Sequence, residues 1–262
     1  MNEKMDSKQS KNVTIEIRDA VAVIWLDKSN SEQNIMSFDL LSDFEKTFVA
    51  LENDDSIEGI VLISKKKDFI AGFDIHSFKA EKKGDFIPVF QEGHQFLQYI
   101  EDFPKPIVSA VHGVCYGLGL EITLACQGRI ASDDRRTKFG LPEVKLGILP
   151  AGGGTQRLPK LIGASGALDM MLTGKDTYAK KALKIGLVDE VVNQNKLLNA
   201  ACSMAEKLKN NSAKKIRKQS LMNRFLDHTF IGNKLVFNQA RKTINKMTKG
   251  HYPAPLAIID CV

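Results

Sequence analysis

Two runs of almost unbroken hydrophobicity, IEGIVLIS (57–64) and IVSAVHGV (107–114), most constrain how this chain folds. A strand with one face in water alternates apolar and polar residues, whereas a continuous apolar run is buried on both faces. Such strands belong to sheets covered by helices, and the sequence supplies helices between them. Residues 38–52 place Phe38, Leu41, Phe44, Phe48 and Leu51 at helical spacing, with Ser37 as the expected N-cap. Further helices are expected around 85–102, over LGLEITLAC (118–126), and over 155–162, 165–173 and 178–185. GRIAS (128–132) reads as another strand, and VTIEI (13–17) with VAVIWL (21–26) as a hairpin about a short RDA turn. Strands alternating with helices imply βαβ units and an α/β fold, a sheet stacked against helices. A composition shift near Val192 separates a mixed core (1–192) from a helical region (193–262), within which YPAP (252–255) reads as a helix break and the start of a linker.

A length of 262 residues suffices for one large domain with an appendage. The polar N-terminal stretch MNEKMDSKQSK lacks the apolar segment of a secretory signal. No apolar run reaches the roughly 18 residues of a membrane helix, so a cytoplasmic protein without a membrane span is expected. Cys115, Cys126, Cys202 and Cys261 form no zinc-type spacing, and the five histidines are dispersed, so no metal site is expected. The formal charge is +6, with a basic excess in SAKKIRKQSLMNR (212–224) and RKTINKMTKG (241–250). Those stretches read as solvated helix faces, or as attraction for a phosphorylated cofactor, nucleic acid or a membrane surface. Sparse aromatics there argue against a stacking platform for single strands.

Three glycine-rich stretches carry the candidate chemistry: FIAGFDI (69–75), HGVCYGLGLE (112–121) and LPEVKLGILPAGGGTQRLP (141–159). None has the GxxxxGK[ST] phosphate loop or the GxGxxG dinucleotide spacing. In each, a strand ends, glycines bend the chain and a helix begins. Amides at a helix start have no partner within the helix and lie at its positive end, where an anion or oxyanion is favoured. The plainer alternative is tight turns, with Glu121 and Glu143 pairing with Lys145 or Arg157, or capping helices.

IAGFDI, GLGLE opening a helix, and GLPEVKLGILPAGGGTQRLPKLIG resemble the crotonase (enoyl-CoA hydratase/isomerase) superfamily. CQGRIASDDRRTKFGLPE is most similar to the hydratase/isomerase domain that precedes a 3-hydroxyacyl-CoA dehydrogenase in multifunctional fatty-acid oxidation alpha subunits. The resemblance is strong over roughly 13–195 and weak in the helical tail. It implies the crotonase (ClpP/crotonase-like) fold of stacked ββα turns with a C-terminal helical region. It also implies an acyl-CoA thioester as substrate, with no metal and no redox cofactor.

Carried over position by position, the resemblance makes Glu121 and Glu143 the catalytic pair. The amides of Phe73 and Leu118 become the oxyanion donors, with Gly72 letting the backbone turn so that an amide meets the substrate. Ala71, Gly72, Asp74, Ile75, Gly117 and Ala151 are then substrate- or CoA-binding positions. This chain departs from common relatives in three places. His76 stands where many have a CoA-phosphate lysine, a role Lys79 or a lysine of the tail would take. Ala151 and Leu118 stand where glycine is common. His94 and His112 read as structural, Cys115 and Cys126 as packing, and Met170, Met171 and Leu172 as core or acyl-pocket wall.

The implied activity is hydration of trans-2-enoyl-CoA to 3-hydroxyacyl-CoA in fatty acid β-oxidation, with 3,2-enoyl-CoA isomerisation as a side activity. A dedicated 3,2-enoyl-CoA isomerase and a non-catalytic RNA-binding module are the rival readings. The implied partners are other copies of the chain in a homotrimer or hexamer. A thiolase subunit takes that place if the chain opens a longer oxidation-complex protein.

Overall fold

The expected hairpin begins the main sheet, in a computed structural model that describes residues 10–77, 82, 84–210, 229–249 and 251–262. β1 (Val13–Arg18) and β2 (Val21–Leu26) pair antiparallel, with Thr14 opposite Trp25. β3 (Gly59–Ser64), β4 (Ile107–Val111), β6 (Gly128–Ser132) and β9 (Glu190–Val192) then add in parallel, giving six strands in the order β1-β2-β3-β4-β6-β9. All residues of β3 and β4 are buried, as their apolar runs require.

The two faces sort by alternation. Ala22, Ile24, Ile60, Leu62 and Ile107 face a core with α1 (Phe38–Glu52), α2 (Ile87–Glu101) and α3 (Leu118–Ala125). Val21, Val23, Val61, Ile63, Val108 and Ile130 face α7 (Leu197–Asn210) through Leu197, Ala201 and Ala205. The small residues on α7 let it lie close to the sheet. A Cβ on Gly59 would already sit 3.0 Å from that of Ala205.

A second, three-stranded sheet of β5 (Val114–Tyr116), β7 (Lys138–Gly140) and β8 (Thr177–Tyr178) lies beyond α3's start. Helices α4 (Gly154–Ile162), α5 (Ala164–Thr173) and α6 (Ala179–Ile185) follow, and α8 (Phe230–Thr248) and α9 (Pro253–Cys261) close the chain.

Three sequence expectations change. Ser37 takes the extended conformation of an N-cap, but its side chain makes no capping bond. YPAP does not start a linker. Pro253 occupies the first turn of α9, where a missing N–H costs nothing, and Ala254, Pro255, Ile258 and Ile259 are buried. In α1 the buried face is Leu40, Phe44, Phe48 and Leu51, while Phe38 is exposed and Leu41 half-buried. Lys79 and the basic stretch 212–224 lie outside the described residues. No helix among the described residues is long and apolar enough to cross a membrane.

Candidate active site

The first glycine stretch is held by a buried asparagine. The Asn34 amide nitrogen donates to the Leu26 carbonyl (3.3 Å), Ser64 Oγ (2.9 Å) and the Phe69 carbonyl (3.1 Å), while its oxygen accepts from Lys28 N–H (2.9 Å). Its own carbonyl accepts from Ala71 N–H (2.9 Å). Met36 then pairs on either side of Phe73, donating to the Gly72 carbonyl (2.9 Å) and accepting from Asp74 N–H (2.8 Å). In extended chain this turns the Phe73 N–H away from Met36. The Phe73 ring packs edge-on against Phe38, with centroids 5.4 Å apart. Gly72 takes φ +111°, a conformation L side chains rarely adopt.

The second stretch meets the first. Tyr116 N–H donates to the Ile70 carbonyl (3.0 Å) and Gly117 N–H to that of Gly140 (3.1 Å). A Cβ on Gly117 would lie 3.6 Å from Gly72 Cα and 3.0 Å from Glu143 Oε1. Both turns and one carboxylate therefore converge on one point. Gly117 is also the N-cap of α3, and the helix's first i to i−4 bond runs from Glu121 N–H to the Gly117 carbonyl (3.0 Å). Leu118, at the first helical position, has its N–H ahead of that bond.

Glu121 is 2% exposed. Its Oε1 accepts from both Gly152 N–H and Gly154 N–H, each at 2.8 Å. Burial pushes its carboxyl up to about 7, against the opposing pull of those amides and of Arg157. Arg157 in turn donates to Glu101 (2.8 Å) and to the Gly152 carbonyl (3.2 Å), steadying the loop that grips Glu121. Neither glycine tolerates a side chain, because a Cβ on Gly152 would fall 2.6 Å from Glu121 Oε2 and one on Gly154 2.9 Å from Oε1.

Glu143 lies in a short 3-10 turn, Pro142–Leu146, ended by Gly147 in the left-handed region. Its Oε2 is buried with no hydrogen-bond partner among the described residues. Burial first, and then the charge of Glu121, push its carboxyl up to about 8. A pair so coupled shares its protons, and the two values belong to the pair.

The structure thus brings Gly72, Phe73, Gly117, Leu118, Glu121 and Glu143 together. Ala71 is pinned by Asn34, the Asp74 carboxylate caps the turn at His76 N–H (3.1 Å), and Ile75 and His76 are exposed. The Ala151 carbonyl bonds to His94, while the amides that hold Glu121 belong to Gly152 and Gly154. Those two amides were legible only as glycines; nothing in the sequence says which carboxylate they face. Cys115, Cys126, Met170 and Met171 are core residues.

Parallel strands capped by glycine turns, with two amide-bearing turns beside the buried Glu121 and the half-buried Glu143, fit the crotonase class of fold. A family model described as "Enoyl-CoA hydratase/isomerase" matches residues 16–249, and the chain belongs to that family. Among curated proteins it is 46% identical over 246 residues to a fatty acid oxidation complex subunit alpha of Shewanella baltica, covering 93% of this chain and 35% of that protein. The Shewanella halifaxensis counterpart is 43% identical over 260 residues, covering 98% and 36%. The chain therefore spans about a third of the length of these relatives. Among solved structures, an enoyl-CoA hydratase from Bacillus anthracis is 29% identical with a TM-score of 0.69, covering 76% of this chain and 77% of that one. A monofunctional enoyl CoA isomerase from M. smegmatis is 26% identical with a TM-score of 0.63, covering 78% and 88%.

Proposed function

We propose that the chain is an enoyl-CoA hydratase that adds water across a trans-2-enoyl-CoA to give the 3-hydroxyacyl-CoA, with 3,2-enoyl-CoA isomerisation as a side activity. One observation carries this reading: the buried carboxyl of Glu121 and the half-buried one of Glu143, pushed up to about 7 and about 8, lie beside two converging amide-bearing turns. Between those values the favoured state of the pair has one proton. The better-held Glu121 is then the carboxylate and Glu143 the acid.

In that state Glu121 accepts a proton from water as the water oxygen bonds to Cβ. The electron pair of the α,β-bond moves towards the thioester carbonyl, and the Phe73 and Leu118 amides receive the developing negative charge. One such donor typically contributes roughly 3–4 kcal/mol to the transition state. Glu143 then gives its proton to Cα, and the pair resets when Glu121 releases a proton and Glu143 takes one up. Coenzyme A enters as part of the substrate, and the reaction requires no redox partner. The name of the curated relatives supports fatty acid oxidation as the setting.

The likeness to the M. smegmatis isomerase favours a second reading, a dedicated 3,2-enoyl-CoA isomerase. That reaction needs only one proton shuttle, and the presence of both glutamates argues for hydration. The test is loss of the conjugated enoyl-thioester absorbance with crotonyl-CoA and a longer 2-enoyl-CoA. Turnover that disappears in Glu143→Gln, with the fold intact, supports hydration. A folded protein that leaves every 2-enoyl-CoA untouched but converts 3-enoyl-CoA overturns it in favour of isomerisation.

A further inference from the structure

The Glu143 turn is anchored by its own sequence on one side only. Five residues of 3-10 helix have weak hydrogen-bond geometry, and only Val144 among them is buried. Leu146 is 60% exposed and Ile148 48% exposed, so burial holds the turn only from its other side, through Leu141 and Val144. Oε2 has no partner among the described residues to fix the carboxyl directly. Yet Glu143 Oε1 lies where a Cβ on Gly117 would be 3.0 Å away, and that spacing sets where its proton goes.

The anchor comes from the far end of the chain. The Tyr252 hydroxyl donates to the carbonyl of Val144, the residue after Glu143. That same carbonyl accepts from Gly147 N–H (3.2 Å) and so closes the turn. The Tyr252 ring lies over Gly147, whose Cβ, if present, would be 3.6 Å from the ring edge. Tyr252 is itself fixed as the N-cap residue of α9, whose Ala254, Pro255, Ile258 and Ile259 are buried. The end of α9 is tied down as well, by the Gln156 amide on the Cys261 carbonyl and by Arg241 on Asp260.

We infer that Tyr252 is a positioning residue for Glu143, holding the 3-10 turn so that the carboxyl stays beside the Gly72 and Gly117 turns. The role rests on the proposed function, in which Glu143 exchanges the proton at the α-carbon. Tyr252 acts through the Val144 carbonyl and touches no reacting atom.

Tyr252→Phe keeps the ring over Gly147 and removes the hydroxyl. The expected result is a fall in kcat on crotonyl-CoA of about tenfold with KM within about twofold, since small misplacements of a catalytic group cost rate before binding. In parallel, the 13C carboxyl resonance of Glu143, assigned with Glu143→Gln, should titrate at lower pH in Tyr252→Phe as the loosened turn admits water. His251→Ala, at the exposed neighbouring residue, should change neither. An unchanged kcat with an unchanged titration overturns the inference. A raised KM at constant kcat also overturns it, because Tyr252 would then serve substrate binding. If the wild type turns over no enoyl-CoA, the hydratase reading falls, and the titration alone decides whether Tyr252 positions Glu143.

Discussion

Glu121 and Glu143 face the same point from supports of opposite kind. Glu121 stands in the first turn of α3, 2% exposed, with the hydrogen bonds to its Oε1 coming from the Gly152 amide and from that of Gly154 at the start of α4. Glu143 stands on a short surface turn that is tied through the Val144 carbonyl to Tyr252. Burial raises both carboxyls, but the amides and Arg157 pull Glu121 back, whereas the charge of Glu121 pushes Glu143 further up. The lesson is that facing one point need not make two carboxylates alike. What grips each one decides which keeps its proton.

The hardest test of that contrast removes each group in turn. Glu143→Gln should lower hydration and 3,2-isomerisation both by about 10³-fold, within the range of lost acid–base catalysis. Glu121→Gln should lower hydration as much yet leave a tenth or more of the isomerisation, read with crotonyl-CoA and a 3-enoyl-CoA side by side. Equal losses in both reactions for both variants would break the assignment of roles.

Next comes the grip itself. Gly152→Ala puts a Cβ where Glu121 Oε2 lies 2.6 Å away and the Leu118 side chain 3.0 Å away. Hydration should fall about 100-fold, with a lower Tm, because both obstacles are boxed in. Full activity would mean that the loop yields.

The pH dependence of stability sharpens the comparison further. An unfolded glutamate titrates at its ordinary 4.5, and the folded pair at about 7 and about 8. Between those limits the folded chain holds more protons than the unfolded one, so stability falls as pH rises through the window and is flat above it. Glu143→Gln should match the wild type in Tm near pH 4. At pH 8 it should exceed it by at least about 2 °C, measured by calorimetry across the range. A gap that is widest in acid would reverse the sign and the argument.

The smallest effect concerns Arg157. Its charge lowers the Glu121 titration. Arg157→Met should therefore move the acid limb of the kcat/KM profile upward by less than about one pH unit, and Arg157→Lys should move it less.

Much of this was legible beforehand, for physical reasons. The apolar runs of β3 and β4 announced their burial, and the helical spacing of Phe44, Phe48 and Leu51 announced a buried helix face, though Leu40 and not Phe38 or Leu41 completes it. β5, β7, β8 and β9 escaped because two or three residues carry no period to read. The glutamates and glycine turns of the site were visible as motifs. The roles of Gly152, Gly154 and Tyr252 were not, since each depends on a contact between distant parts of the chain. YPAP does mark a break, between α8 and α9, but the same prolines open α9, whose buried face shows that no linker begins there.

The bond between Tyr252 and Val144 joins positions 108 apart in the chain, so it also fixes an order of events. β1, β2 and β3 pair with neighbours close in sequence, and contacts of that kind close early, whereas a loop of this length closes late. Trp25, the chain's single tryptophan, lies in β2, where its indole N–H donates to Glu16 of β1 (2.9 Å) and its ring also packs against the cluster that α7 completes. On refolding, the first change in its fluorescence, from the β1–β2 hairpin, should precede the return of enoyl-CoA turnover, and a single shared phase would show that the sheet and the catalytic turn form as one. A growing chain would then carry a finished sheet for some time before it carries a working enzyme.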